Sequence, residues 1–523
     1  MTANDAPILD GALIAALRAD LAEAGWTVDA LEEILSDRAR AALAREQRLP
    51  ALIELEGRDD PASVLTRLFV LGSIESEAVL VAALPRLGVR GARALGLVAP
   101  AEEGGAAAGL SALFDLRPYA AMLGVASGTG VSDDAAGEVA WWIASDIPGS
   151  RAGGPLRPDH VLGVGGASTS LLEMTIRDRV DSALDMGCGC GIQAMHLTTH
   201  ARRVVATDLS ARACAFTRFN AALNGLDIEV REGSLFEPVA GEAFDLIVTN
   251  PPFVITPDSL RGARGLLEYR DGGMSRDGLV RTVVRSGPEH LVPGGILQLI
   301  GNWEIPAEHD PDAEWGLRLE EWFEGLAVDA WIVERDVLDP ARYIEMWLQD
   351  ADPTGVANEG AYRAWLADFD AAGVGGIGMG FMAIRRHIGD EGAPVLRFEL
   401  GLAGARPRGA DVARTLRALR LPADLAPLRL ERAEDVTEER HYVPGSADPQ
   451  VMILHQGSGL GRSIMVGTAV SALVGASDGE LEVGQIIAAV AMLTERDADE
   501  VRAEIDEPVR GLLRAGMLRI VED

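Results

Sequence analysis

Three short runs of this chain hold residues whose types and spacing suit ligand chemistry. The first, Asp181-Ser-Ala-Leu-Asp-Met-Gly-Cys-Gly-Cys-Gly191, is apolar around Asp185 and then sets glycine at 187, 189 and 191. Glycines at alternate positions let the backbone turn tightly and approach a ligand with no Cβ in the way. The run predicts a strand, a binding turn and a helix from Ile192 to Thr199. The second, Arg203-Val-Val-Ala-Thr-Asp208, ends in a carboxylate where ribose hydroxyls would be held. The third, Phe244-Asp-Leu-Ile-Val-Thr-Asn-Pro-Pro-Phe253, ends in Asn250-Pro251-Pro252-Phe253.

Alone, the glycines could be only a tight turn, and Asp208 could cap a helix starting near Ser210. Together, the first two runs suit a nicotinamide enzyme as well as a methyltransferase. The third separates them. Two consecutive prolines cannot donate backbone hydrogen bonds, so residues 250–253 must leave the sheet at its carboxyl end, above the crevice where ligands of α/β folds sit. There the side-chain oxygen of Asn250 and the carbonyl of Pro251 can both accept from one planar NH2 group, while Phe253 offers a flat face. Such a grip weakens the nitrogen's conjugation and aims its lone pair at a methylsulfonium carbon.

On these residues the chain resembles the class I S-adenosylmethionine-dependent methyltransferases that carry Asn-Pro-Pro-Tyr/Phe. It is most similar to the release-factor glutamine methyltransferases and the small-domain ribosomal RNA guanine methyltransferases. The resemblance covers roughly residues 160–305 and extends to the glycine-rich run Glu268-Tyr-Arg-Asp-Gly-Gly-Met-Ser-Arg-Asp-Gly-Leu279 and to Leu291-Val-Pro-Gly-Gly295, which leads into a strand over Ile296 to Ile300. It implies S-adenosyl-L-methionine as cofactor. Asp185, Gly187, Cys188, Gly189 and Gly191 would line its methionine end, Asp208 and Leu209 its ribose side, and the run Glu232, Gly233, Ser234, Leu235 and Phe236 its adenine. Asn250, Pro251, Pro252 and Phe253 would hold the substrate nitrogen, Asn250 also bordering the cofactor. The family usually has an acid where Ser234 stands, and here a hydroxyl takes that place.

Elements must position these residues. The chain of 523 residues is too long for one domain and suggests three: a helical, winged-helix-like region over 1–120, an α/β methyltransferase domain over 121–388, and an α+β winged-helix-like region over 389–523. The central domain is expected to be Rossmann-like, with seven strands and the last antiparallel. Ala330 to Asp336 and Gly376 to Arg385 read as strands six and seven, separated by helices near Pro340 to Gln349 and Glu359 to Ala372. In the first region Gly11 to Ala24 and Val28 to Leu43 read as helices, Ala51 to Gly57 as extended, and three short helices and a strand follow. In the last, Val395 to Gly401 and three later runs read as strands, then come helices at Val483 to Leu493 and Asp497 to Ala515, the second broken near Pro508. The loop Val161 to Ser170 reads as a cover over the site or a linker with Ser168 as helix cap.

Composition narrows the partners. With 80 acidic against 47 basic residues and no lysine, the net charge is −33, which argues against nonspecific nucleic-acid binding without excluding a local basic patch. Arg261, Arg264, Arg270, Arg276, Arg281 and Arg285 follow the Asn-Pro-Pro-Phe motif as a solvated face or a docking surface for an acidic substrate. The cysteines are Cys188, Cys190 and Cys214; packing is the better reading of the pair at 188 and 190, even with His196 and His200 on the next helix, so no metal is expected. His160 reads as structural. No apolar run approaches a membrane span and the first residues lack signal-peptide character, so a cytoplasmic protein is expected, with the flanks able to pair two copies. The reading is N-methylation of a protein glutamine or an RNA base. Methylation of a small metabolite, or a catalytically silent binding protein with the same fold, is the alternative.

Overall fold

The computed structural model of the protein describes residues 6–103, 106–123, 137–152, 156–260, 270, 272–311, 313–351, 359–401 and 407–521. Helix α1 (Gly11–Glu23) is capped by Asp10, whose carboxylate accepts from the N–H groups of Ala12 and Leu13. The stretch from Val28 to Leu43 is two helices, not the expected one: α2 (Val28–Ile34) and α3 (Asp37–Leu43). The break has a cause in Ser36, which caps α3 and is itself held by the Glu54 carboxylate at 2.6 and 2.9 Å. Residues expected to be extended near Ala51 form α4 (Leu49–Leu55), with Pro50 in its first turn, where a missing N–H costs nothing.

Helix α5 (Pro61–Leu65) runs into a π-helical turn over Thr66–Val70, and α6 (Glu77–Ala83) and α7 (Gly88–Ala94) follow. Strands β1 (Val98–Glu103) and β2 (Ala106–Ala112) pair as a hairpin, and Glu75 bridges to Leu110. This is the helix, bridge, helix, helix, hairpin order of a winged helix. A second hairpin, β3 (Asp115–Met122) with β4 (Glu138–Ser145), leads through α8 (Gly149–Ala152) and α9 (Gly166–Met174) to the central sheet.

The central sheet is built from β5 (Val180–Met186), β6 (Ala201–Asp208), β7 (Glu229–Glu232), β8 (Phe244–Thr249), β9 (Leu291–Pro306), β10 (Val328–Leu338), β11 (Val374–Arg386) and β12 (Leu396–Leu400). Their order is β12-β10-β11-β9-β8-β5-β6-β7, with β11 antiparallel to both neighbours and the other pairings parallel. Seven of these strands follow the expected class I pattern. The eighth, β12, lies beyond residue 388, where the C-terminal region was expected to begin, yet it pairs with β10. Alternate residues of the inner strands are buried on opposite faces, Leu184 and Met186 in one cluster and Ala183 in the other, as parallel strands covered on both sides require.

Helices α10 (Ile192–Leu197), α11 (Ala211–Asn224), α12 (Gly278–Ser286) and α13 (Leu317–Phe323) flank the sheet, and α14 (Pro340–Ala351) and α15 (Glu359–Ala371) lie between β10 and β11. Helix α11 docks the N-terminal region through side chains that mimic a strand. Asn220 exchanges bonds with the N–H and carbonyl of Ala144 at 2.8 and 2.9 Å, and Asn224 does the same with Trp142. Phe216, Phe219 and Leu223 of α11 share one core with Leu17, Leu21 and Trp26. Burial of each such side chain contributes about 1.5–3 kcal/mol.

The C-terminal region opens with α16 (Gly409–Ala418), which packs on α9 and was not foreseen. Strands β13 (Arg429–Arg432), β14 (Val436–His441), β15 (Val451–Gln456) and β16 (Ser463–Val466) precede α17 (Thr468–Ala476), β17 (Asp478–Glu482), α18 (Val483–Thr494), α19 (Ala498–Ala515) and β18 (Leu518–Ile520). Sheet β17-β13-β18 with the three last helices repeats the helix, strand, helix, helix, strand order of the first region. Helix α19 is not broken at Pro508, because that residue lies on its exposed face and the carbonyl it frees can turn to water. Among the described residues no helix is long and apolar enough to cross a membrane.

Candidate active site

Strands β5 and β8 are neighbours, and their last residues Met186 and Thr249 are register partners. The Thr249 hydroxyl donates to the Met186 carbonyl at 2.7 Å, which fixes the two strand ends together. The glycine turn at 187–191 and the Asn-Pro-Pro-Phe segment therefore leave the sheet side by side. A Cβ on Gly187 would sit 3.9 Å from the Asn250 carbonyl oxygen.

The turn needs its glycines. Gly187, Gly189 and Gly191 have φ of 77°, 54° and 87°. A Cβ at Gly191 would meet the Thr217 methyl at 2.9 Å, and Thr217 in turn donates to the Gly189 carbonyl at 3.0 Å. The Cys188 Sγ lies 3.2 Å from the Thr217 hydroxyl, and the neighbouring Cys214 thiol together with burial holds Cys188 protonated. Asn220 reaches from α11 to the Cys190 carbonyl at 2.8 Å, so both cysteines pack below the turn.

Asp185 is fully buried. One carboxylate oxygen accepts from the Ala194 N–H at 2.9 Å in the first turn of α10, and the other, Oδ1, has no hydrogen-bond partner. Burial pushes its pKa up to about 7. Asp208, at the end of β6, takes the Gly189 and Ser210 N–H groups at 2.9 Å each; burial raises its pKa too. Ser210, not Asp208, caps α11, so the helix-cap alternative for Asp208 is not the one adopted. Leu209 stands out at the surface with 67% exposure. The Gly233 N–H donates to the Asp208 carbonyl at 2.9 Å, tying the ends of β6 and β7. Leu235 adopts a left-handed φ of 46° and packs against the core, while Phe236 stacks on His290 at 4.6 Å.

At the start of the Asn-Pro-Pro-Phe segment, the Asn250 amide nitrogen donates to the Ser168 hydroxyl at 3.4 Å, and the Ser168 carbonyl accepts from Gln193 at 3.0 Å. Ser168 lies inside α9, whose N-cap is Gly165, so it faces the site instead of capping the helix. That contact was missed because only the fold brings residues 168 and 250 together. Pro251 is buried and Pro252 half-buried. The Phe253 ring meets Trp347 of α14 edge-on at 6.3 Å. Beyond it the Ile255 N–H donates to the Tyr343 hydroxyl at 3.0 Å, and the Trp365 indole donates to the Ile255 carbonyl at 2.8 Å, so α14 and α15 pack against the segment that follows the motif.

Three of the described arginines of the run are engaged within the protein. Arg270 donates to the Trp347 carbonyl, Arg276 pairs with Glu304 and Asp368, and Arg285 bonds the Trp322 carbonyl. Arg281 is exposed, and Arg261 and Arg264 lie outside the described residues. His160 is buried beside Asp146, and burial lowers its pKa. His196 lies 2.9 Å from the Tyr119 hydroxyl and edge-on to Trp141; burial lowers it to about 3, so the ring stays neutral.

A left-handed glycine cradle, a buried carboxylate oxygen without a protein donor, and an acid at the next strand end fit the parts of a nucleoside sulfonium. This fold and site define a class I methyltransferase domain. Residues 164–264 match the family model described as the methyltransferase small domain, and residues 23–109 match a domain of unknown function (DUF7059).

Among curated relatives, a ribosomal RNA small subunit methyltransferase C of Alcanivorax borkumensis is 33% identical over 123 residues, 24% of this chain and 33% of that protein. A release factor glutamine methyltransferase of Geobacter sulfurreducens is 38% identical over 126 residues, 23% of this chain and 44% of that protein. The chain thus spans a third to under half of the length of these relatives. The solved 16S rRNA N2 methyltransferase of T. Thermophilus, in complex with AdoMet and guanosine, is 22% identical with a TM-score of 0.26, covering 45% of this chain and 55% of that one.

Proposed function

We propose that the protein is an S-adenosylmethionine-dependent N-methyltransferase whose substrate is a planar amide nitrogen, the side chain of a protein glutamine. The observation that carries the reading is the adjacency of Asn250 and Gly187 at the paired ends of β8 and β5. Asp185 and the glycines at 187, 189 and 191 would hold the methionine end of the cofactor and Asp208 its ribose. Bound there, the cofactor supplies a methyl group on a sulfonium.

Asn250 Oδ1 and the Pro251 carbonyl each accept one N–H of the substrate's NH2 group, which turns the nitrogen lone pair toward the glycine turn. The new bond is nitrogen to methyl carbon, and the carbon to sulfur bond breaks with its electron pair going to sulfur. The proton leaves the nitrogen afterwards, when that nitrogen is acidic, so no strong base is required. Phe253 and Trp347 exclude water from one side of the grip.

The net charge of −33 and the internal engagement of Arg270, Arg276 and Arg285 favour a protein over a polyanionic RNA. Incubation with methyl-labelled cofactor and fractionated cell extract tests this. Label that protease removes and RNase leaves supports the protein substrate; the reverse assigns the reaction to an RNA base. Calorimetric binding of NAD in place of S-adenosylhomocysteine would overturn the class of reaction itself.

A further inference from the structure

We infer that helix α18 of the C-terminal region is a docking surface for a basic amphipathic helix of a partner protein. The inference is independent of the methyltransferase reading above. From Val483 to Thr494 the helix holds no charged residue. Val483, Ile486, Ile487, Val490 and Ala491 face inward and join the core of the C-terminal region. The opposite side carries Gln485, Ala488, Ala489, Met492 and Leu493, all exposed. These positions recur every three or four residues, so they form one stripe along the helix. Met492 and Leu493 are exposed at 75% and 78%, the highest values among the large hydrophobic side chains of the described residues. A helix without a polar face is ordinarily covered on every side, and this one is covered on half.

The rim sets the sign of the occupant. Glu480 and Glu482 precede the helix, and Glu495, Asp499 and Glu500 follow it. Between Glu480 and Glu500 the one basic residue is Arg496, which pairs with Glu504. An apolar stripe about 18 Å long, at 1.5 Å per residue, therefore ends in carboxylates on both sides. It complements a helix with leucine-like anchors on one face and lysine or arginine on its flanks. Ala488 and Ala489 at its middle let a second helix axis come close.

Two other occupants are disfavoured by the same charges. Helices α18 and α19 form a helix-turn-helix across Glu495-Arg496-Asp497, an arrangement that in nucleic-acid readers sets the start of the second helix against the groove. Here that start is Asp497 as N-cap with Asp499 and Glu500 in the first turn, a row of acids that phosphates repel. A second copy would bring acidic ends against acidic ends, in a chain whose net charge is already −33.

Titration of the full chain with a fluorescent synthetic helix of leucine and lysine in heptad order tests the inference, beside a scrambled isomer and a leucine-glutamate counterpart. The parent should bind the basic amphipathic helix more tightly than either control by about tenfold or more. The double variant Met492→Glu, Leu493→Glu should lose about tenfold or more of that affinity although it adds two negative charges, whereas Ala503→Glu, at an exposed position of α19, should not. Its melting temperature should match the parent's, since both side chains already stand in solvent. Attraction by charge alone demands the reverse, so a gain in the double variant, unchanged affinity there, or no binding by the parent overturns the inference. Equal binding of the leucine-glutamate helix overturns the basic partner, and a dimer in sedimentation equilibrium that the double variant loses assigns the stripe to a second copy instead.

Discussion

Gly187 and Asn250 stand one residue beyond a register pair, close enough that a Cβ on the first would lie 3.9 Å from the carbonyl of the second. Two segments separated by 63 residues in the chain thus meet at one point because β5 and β8 pair in parallel. Asn250→Ala should remove one of the two acceptors at that point. Methyl transfer is expected to fall by about 100-fold or more, with S-adenosylhomocysteine affinity within a few-fold of the parent. Single-turnover transfer and calorimetry together check this; equal losses in both would place Asn250 in cofactor binding instead.

Ser168 holds the amide nitrogen of Asn250, and in the proposed grip Oδ1 is then the end that would accept from the substrate. Ser168→Ala frees the amide to rotate and should lower kcat by roughly the worth of one neutral hydrogen bond, about 1 kcal/mol or a few-fold. Cofactor affinity should not move, and Ser168→Thr should restore the rate. An unaltered kcat in the alanine variant would show that the contact orients nothing.

Gly191→Ala meets two obstacles at once, a φ of 87° and the Thr217 methyl at 2.9 Å. A stability loss of about 1–3 kcal/mol is expected, read as a lower melting temperature. Thr217→Ser in the same background should recover only the steric part.

Asp185 makes stability depend on pH. Its pKa rises from the ordinary carboxylate value to about 7 on folding, so between about pH 4 and 7 the folded state holds a proton that the unfolded state has lost. This contribution is therefore full below pH 4 and declines as pH climbs through 7, by a few kcal/mol at most. Urea midpoints measured across that range should fall more steeply for the parent than for Asp185→Asn. Equal slopes in the two proteins would contradict the burial that drives the shift.

The central sheet could be read from the chain because its strands are continuous apolar runs ending in glycine, acid or proline, signals that act within a few residues. Flank elements were harder. Leu49 to Leu55 carries no strong helical stripe, and its proline marks a helix start only once the start is known. The split at Ser36 depends on Glu54, 18 residues away. Strand β12 was visible as a strand but not as a member of the central sheet, since pairing with β10 is a property of the assembled fold. The Asn-Pro-Pro-Phe and glycine segments could be named because their residue types are constrained by chemistry. The contact of Ser168 with Asn250 is positioned by tertiary structure alone.

Asn220 is wholly buried, and its amide is satisfied by Ala144 on one side and by the backbone of the glycine turn at Cys190 on the other. Cutting the chain between residues 145 and 160 to isolate a catalytic fragment would therefore orphan a polar group directly beneath the ligand, at about 1–3 kcal/mol for each bond lost. The smallest piece able to keep its grip on a nucleoside includes the hairpin of β3 and β4, and heating should dismantle the N-terminal half and the cofactor turn in a single step.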